Sequence, residues 1–268
     1  MAYRLIIVGG GRIGGALAQG LLRAHFVPTS DLAVVESGAE RRAELVDELP
    51  GVSVLPTLEL DNVDDHSGVV LCVKPDQAEG AARLIGACGA RRVLSVVAGL
   101  SCARLEAVMP GAVAVVRAMP NTPVVVGKGA SAISGGSHVT KDDLDWAADV
   151  LGSLGTVVRL AERHLDAVTG LSGSMPAYLY LVVEALVEAG VHQGLTREVS
   201  RELVVATFEG AGALLAQSGE TPEELRSQVT SPGGTTAAGL RMLEGRAVRA
   251  AFLEAVASAA ERSRQLGR

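Results

Sequence analysis

Three glycines near the start of the chain are spaced to receive a phosphate group. They lie in Val8-Gly9-Gly10-Gly11-Arg12-Ile13-Gly14, where Gly9, Gly11 and Gly14 keep the G-x-G-x-x-G spacing. In such a turn the first glycine permits the bend and the second lets backbone approach a pyrophosphate. The third lets the following helix pack on the preceding strand, with its amides and positive dipole end facing the phosphates. Gly9, Gly11, Arg12, Ile13 and Gly14 are therefore candidate cofactor-binding residues; the alternative is a tight strand-to-helix turn without a ligand. An apolar run, Leu5-Ile6-Ile7-Val8, leads in, and a helical pattern of Leu17, Leu21 and Leu22 leads out. That is the context the motif requires.

Glu36 follows the glycine turn by about 20 residues, where a dinucleotide site reads the adenosine ribose. A carboxylate there accepts from the 2′-hydroxyl of NAD and repels the 2′-phosphate of NADP. Arg41 and Arg42 come soon after and are placed to meet a phosphate, so the reading leans toward NAD and leaves NADP open. Lys74-Pro75 and Ala98-Gly99 each end an apolar run. If those runs are strands of one open sheet, both pairs face the crevice beyond the strands' carboxyl ends. Asn121 sits in Arg117-Ala118-Met119-Pro120-Asn121-Thr122-Pro123, where two prolines stiffen a polar turn. Such a turn can hold a side-chain amide in a site, or merely end a domain. A second focal point is Thr230-Ser231-Pro232-Gly233-Gly234-Thr235-Thr236. Its hydroxyls, glycines and helix N-terminus suit a carboxylate; a capped loop is the plainer alternative.

The elements that must position these residues alternate in the first half. Strands are expected at Leu5–Val8, Leu32–Val35, 52–55, 69–73, 93–97 and 113–116, with helices at 13–24, 39–49, 77–86 and 102–108 between them. This alternation implies an N-terminal doubly wound (Rossmann), mostly parallel α/β sheet. Shorter strands are expected at 124–126, 130–133 and 156–158, and Thr140 with Asp143 opens a helix. From about 161 the chain reads as helix throughout, so residues 1–160 form the dinucleotide-binding domain and 161–268 an all-helical one. Within it, Leu171-Ser172-Gly173-Ser174-Met175-Pro176-Ala177-Tyr178 is expected to join two helices, with Ser174 as a cap. Helix 177–190 is apolar on most faces, so it is buried all round or packs on a partner chain.

Composition narrows the classes. With 268 residues, 48% hydrophobic, the chain can build a substantial core, but 3% aromatics provide few stacking platforms for single-stranded nucleic acid. A net charge of −6 gives no basic footprint for a phosphate backbone. Glu184 and Glu188 interrupt the richest apolar segment, which argues against a membrane span. No signal-peptide pattern is visible, and a cytoplasmic location is expected. Cys72, Cys88 and Cys102 have no metal-ligand spacing, nor do His25, His66, His138, His164 and His192. No metal is expected.

Taken together, the glycine turn, Val73-Lys74-Pro75, Val97-Ala98-Gly99, the RAMPNTP stretch, LSGSMPAY and TSPGGTTAAGLRMLE resemble the pyrroline-5-carboxylate reductase family. The likeness runs over residues 5–265. It implies reduction of the cyclic imine 1-pyrroline-5-carboxylate to L-proline with NAD(P)H, the last step of proline synthesis. It also implies a homodimer, often assembled further, through the helical half. On this resemblance Lys74, Pro75, Ala98 and Gly99 line the ribose and nicotinamide. Ser231, Gly233, Gly234 and Thr235 bind the substrate carboxylate, and Thr236 is the catalytic residue, bonding the ring nitrogen. Met175 departs from the small residue usual there, and Glu36 from the family's frequent use of NADPH. A β-hydroxyacid dehydrogenase shares the glycine turn and helical half but uses a lysine from that half, and this chain has no lysine beyond Lys141. A non-catalytic dinucleotide sensor is the other alternative.

Overall fold

The structure, a computed structural model, describes residues 2–267. Its first half is organised by eight short strands: β1 Leu5–Val8, β2 Leu32–Val35, β3 Ser53–Leu55, β4 Gly68–Leu71, β5 Arg92–Ser95, β6 Ala114–Met119, β7 Gly129–Gly135 and β8 Gly155–Arg159. Between them run α1 Arg12–Arg23, α2 Ala39–Glu48, α3 Ala78–Ala87, α4 Cys102–Glu106 and α5 Lys141–Gly152. The strands form one sheet in the order β3-β2-β1-β4-β5-β6-β7-β8, parallel at every pairing except β6 with β7. Valine and isoleucine runs buried on both faces produce this arrangement. Leu5 and Ile7 of β1 join one apolar cluster with α1, α2 and α5, while Ile6 and Val8 join the other with α3 and α4.

β1 lies between β2 and β4, so the strand order reverses there. In an open α/β sheet such a switch point opens a crevice beyond the strands' carboxyl ends. The register puts specific residues at that edge. Val8 is level with both Val35 and Leu71. The Gly9 amide donates to the Val35 carbonyl (2.8 Å), the Cys72 amide to that of Val8 (2.7 Å) and the Glu36 amide to that of Leu55 (2.9 Å).

Several boundaries differ from the sequence expectations. β4 stops at Leu71 because its neighbour β1 ends at Val8; Cys72 and Val73 are thereby released from the ladder. Residues 124–126 are not a strand but part of a 3-10 turn, Thr122–Val126. Pro123 fixes a helical φ at its start, and Val124 is fully buried in the core. β6 runs three residues further than expected, so Arg117 and Ala118 are sheet residues. Thr140 and Asp143 form the expected capping box on α5.

The chain divides into two compact units, Met1–Ser174 with Ala257–Arg268, and Met175–Val256. In the first, a 3-10 turn Glu162–His164 and α6 Leu165–Val168 follow the sheet, and then a π-helical turn Thr169–Gly173. Ser174 has helical dihedrals and donates its amide to the Thr169 carbonyl (2.8 Å), so it is not the helix cap expected at this point. The second unit contains α7 Met175–His192, α8 Arg197–Gln217 (capped by Thr196), α9 Pro222–Gln228 (capped by Thr221), α10 Thr235–Gly245 and the first part of α11 Val248–Leu266. In it α7 packs on α8, where a Cβ at Gly190 would collide with Ser200. Much of the rest stays open: Leu181 is 66% exposed and Leu253 73%. Residues 162–192 are long and apolar enough, by length and composition, to cross a membrane.

Candidate active site

A cleft of about 420 Å³ opens at the carboxyl edge of β1, β2 and β4. Gly9, Gly11, Glu36 and Lys74 line it, so four of the candidate residues converge. The three motif glycines occupy their positions for different reasons. Gly9 has φ +103°, where an L side chain is strained, and an added Cβ would also press on the Cys72–Val73 peptide. A Cβ at Gly14 would sit on the Gly9 carbonyl oxygen, so this glycine permits the helix to fold back on the turn. Gly11 is different. Its φ is an ordinary −65°, and a Cβ there would meet nothing within 4 Å. Neither backbone nor packing requires glycine at 11, and the space beside it is open.

Gly11 is also the N-cap of α1, and no side chain caps that helix. The opening amides of α1 are therefore left for an anion. These features fit a dinucleotide pyrophosphate. Arg12 is exposed beside Gly11 and lines a neighbouring groove; Ile13 is half-buried and packs on the core.

Glu36 is held at both oxygens. Oε2 accepts from the Gly10 amide (3.0 Å) and Oε1 from the Gly38 amide (2.8 Å). A carboxylate has about four lone-pair sites, so two remain open toward the cleft. Lys74 caps the 3-10 turn Pro75–Gln77 that leads into α3, which fixes where its side chain leaves the backbone. Cys72 also lines the cleft; burial pushes its thiol well above the ordinary range, so it stays protonated. Sequence reasoning missed Pro56 and Thr57, which close the cleft beyond β3. Their signal was positional: they follow a short third parallel strand.

The remaining candidates lie outside this cleft. Pro75 is exposed next to Lys74. Ala98 and Gly99 follow β5 on the same sheet edge, where Gly99 is packed against Leu266 and Gly267. Arg104 reinforces this, donating to the Gly267 carbonyl (3.3 Å) and to Glu79 (2.7 Å). Asn121 is bonded within the protein. Its Nδ2 donates to the carbonyl and hydroxyl of Ser172 (3.3 and 3.4 Å), and its Oδ1 accepts from the Ala130 amide (2.9 Å). With three bonds to protein, the amide braces the turn after β6 and is not among the groups lining the cleft. Nearby, the guanidinium of Arg117, 8% exposed, is paired with Glu162 (3.2 Å) and Asp166 (3.6 Å). Ser263 donates to Asp166 (2.7 Å), and the Cys102 amide to Glu162 (2.8 Å).

In the helical unit, Ser231, Gly233, Gly234, Thr235 and Thr236 lead into α10. Gly234 is the N-cap, and no side chain caps the helix. A Cβ at Gly234 would collide with the Ser231 hydroxyl. Among the described residues, the hydroxyls of Ser231, Thr235 and Thr236 have no partner, and all three residues are exposed. The loop thus offers amides and hydroxyls, a donor set suited to a carboxylate.

A parallel sheet with a glycine turn at its switch point, an uncapped helix and an acidic residue ending β2 define the class: a dinucleotide-binding protein of the Rossmann type. Comparisons give the family. Residues 162–266 match the model for pyrroline-5-carboxylate reductase dimerisation, and residues 4–99 that for NADP oxidoreductase, coenzyme F420-dependent. A pyrroline-5-carboxylate reductase of Corynebacterium melassecola is 41% identical, with 98% of each chain covered. That of Synechocystis is 37% identical over the whole of both chains. Among solved structures, the Plasmodium falciparum enzyme with NADP bound superposes with TM-score 0.86 at 30% identity, covering 98% of each chain. The Coxiella burnetii enzyme does so with TM-score 0.89 at 29% identity, covering 99% of each. The chain belongs to the pyrroline-5-carboxylate reductase family.

Proposed function

We propose that the chain reduces 1-pyrroline-5-carboxylate to L-proline with NAD(P)H, completing proline biosynthesis. The observation that carries this reading is Gly11: a glycine that packing does not require, at an uncapped helix N-terminus, in a chain whose relatives carry that activity over their full length. When bound, the reduced nicotinamide supplies hydride to the imine carbon. The chain's own residues bind and orient. Gly9, Gly11, Arg12, Ile13 and Gly14 present the turn and its amides to the pyrophosphate. Glu36 accepts from the adenosine ribose, and Lys74, Pro75, Ala98 and Gly99 border the other ribose and the nicotinamide. Asn121 positions the adjacent turn.

Ser231, Gly233, Gly234 and Thr235 hold the substrate carboxylate, and the Thr236 hydroxyl bonds the ring nitrogen. A protonated imine is already a strong electrophile, so alignment of the two rings, not a potent acid, is the main demand on the protein. Residues 161–268 form the dimerisation and substrate-binding domain, and the working form is a cytoplasmic homodimer or larger homo-oligomer. Proline-dependent reduction of NAD⁺ and NADP⁺ at alkaline pH tests the reading, together with pyrroline-5-carboxylate-dependent oxidation of both reduced cofactors. Turnover is expected in both directions; its absence with every pairing would overturn the assignment.

A further inference from the structure

We infer that this chain selects NADH over NADPH, with Glu36 as the residue that rejects the 2′-phosphate. The inference rests on the dinucleotide reading of the cleft and goes beyond it, since the sequence leans toward NAD but leaves NADP open through Arg41 and Arg42.

The argument begins with what holds Glu36. Its two oxygens accept from the amides of Gly10 and Gly38, one in the glycine turn and one at the start of α2. The carboxylate is therefore fixed in place at the end of β2, where a dinucleotide site reads the adenosine ribose. Its open lone pairs suit neighbouring hydroxyls. A phosphate at the 2′-oxygen would instead bring up to two negative charges against a fixed one.

That repulsion could be cancelled by a cation, and the sequence offers Arg41 and Arg42. Both are bonded within the chain, but only Arg41 is paired with carboxylates. Arg41 donates from Nε to the Gly10 carbonyl (2.9 Å), from Nη1 to Glu44 and Glu48 (2.7 Å each) and from Nη2 to Glu48 (3.0 Å). All three nitrogens are engaged, and the two carboxylates offset its charge. Arg42 gives Nη1 to the carbonyls of Glu36 and Ser37 (3.0 and 2.7 Å), which ties it to the backbone of the turn. Neither arginine lines the cleft. Among the described residues that do, Lys74 is the only cation, and it lies beyond β4 at the start of the turn Pro75–Gln77. The residues nearest Glu36 in the lining are Ser37 and Gly38, which are neutral.

Titration calorimetry of the full-length protein tests this without turnover, using NADH against NADPH and ADP-ribose against 2′-phospho-ADP-ribose. The unphosphorylated member of each pair is expected to bind at least about tenfold more tightly, as befits a like charge fixed at the ribose. Glu36→Gln, which keeps an acceptor for one amide and removes the charge, should bring both ratios toward one, mainly by tightening the phosphorylated ligands. Ser37→Arg leaves the Glu36 bonds alone and should tighten the phosphorylated ligands selectively. Equal or tighter binding of the 2′-phosphorylated ligands by the wild type overturns the inference while leaving the dinucleotide site intact. So does a ratio that neither variant moves. Failure of all four ligands to bind overturns the dinucleotide reading itself.

Discussion

At the scale of single residues, the glycine turn separates structural from ligand-imposed constraints. Gly14 is close to its own turn, so Gly14→Ala forces backbone apart and should cost more than about 2 kcal/mol, read as a fall in Tm. Gly11→Ala meets no protein atom, so its stability should stay within about 0.5 kcal/mol of the wild type. Its affinity for the reduced cofactor should nevertheless fall about tenfold or more, because the methyl group occupies the pyrophosphate's approach. Calorimetry and thermal melting of the same two variants check both statements; a Gly11→Ala protein that binds normally would remove the pyrophosphate from that point. Thr236 makes a second prediction. With no protein partner for its hydroxyl, Thr236→Ala should lower kcat roughly tenfold to a hundredfold without lowering Tm, and Thr236→Ser should restore most of it. Unchanged kinetics in Thr236→Ala would take this hydroxyl out of the reaction.

Among elements, the β6 strand end shows how secondary structure extends the site's support. Arg117 looks like part of a polar exit turn in the sequence, yet the sheet carries it into the interior. There Glu162 and Asp166 compensate its charge. Glu162 also holds the Cys102 amide at the start of α4, and Asp166 holds Ser263 on α11. One buried cation therefore ties together a strand, three short helical segments and the end of the last helix. Arg117→Met leaves two partly exposed carboxylates facing each other, and a loss of about 2–3 kcal/mol is expected in urea unfolding. Double substitution with Glu162→Gln should recover part of that loss; strictly additive losses would mean that the two side chains do not interact.

For the whole molecule, the open apolar faces of the helical unit need a cover. α7 carries Leu179, Tyr180 and Leu181 exposed along its length, an arrangement that a single chain in water does not favour. The same composition lets residues 162–192 pass for a membrane-crossing helix. Residues 162–266, which include this helix, match a dimerisation model. Sedimentation equilibrium should find a dimer or larger assembly, and Leu181→Glu should shift it toward monomer with loss of turnover, since a buried unpaired carboxylate is costly. A Leu181→Glu protein that sediments like the wild type would place the interface on another face.

By itself the sequence determined the features that depend on neighbours along the chain. Strand periodicity, the capping box at Thr140, the glycine spacing and the hydroxyl-rich entry to α10 are local patterns, and hydrogen-bonding rules act on them directly. It also determined family membership, because the motifs keep their order over the whole length. The tertiary structure decided what depends on residues far apart. Whether 124–126 formed a strand turned on Val124 finding a place in the core and on Pro123 fixing the backbone. The bonds of Asn121 turned on Ser172 and Ala130, groups that only folding brings to it. Above all, the charge balance around Glu36 was invisible in one dimension. Arg41 and Arg42 are close in sequence, but a guanidinium serves whichever acceptors surround it, and here those acceptors are the chain's own carboxylates and carbonyls.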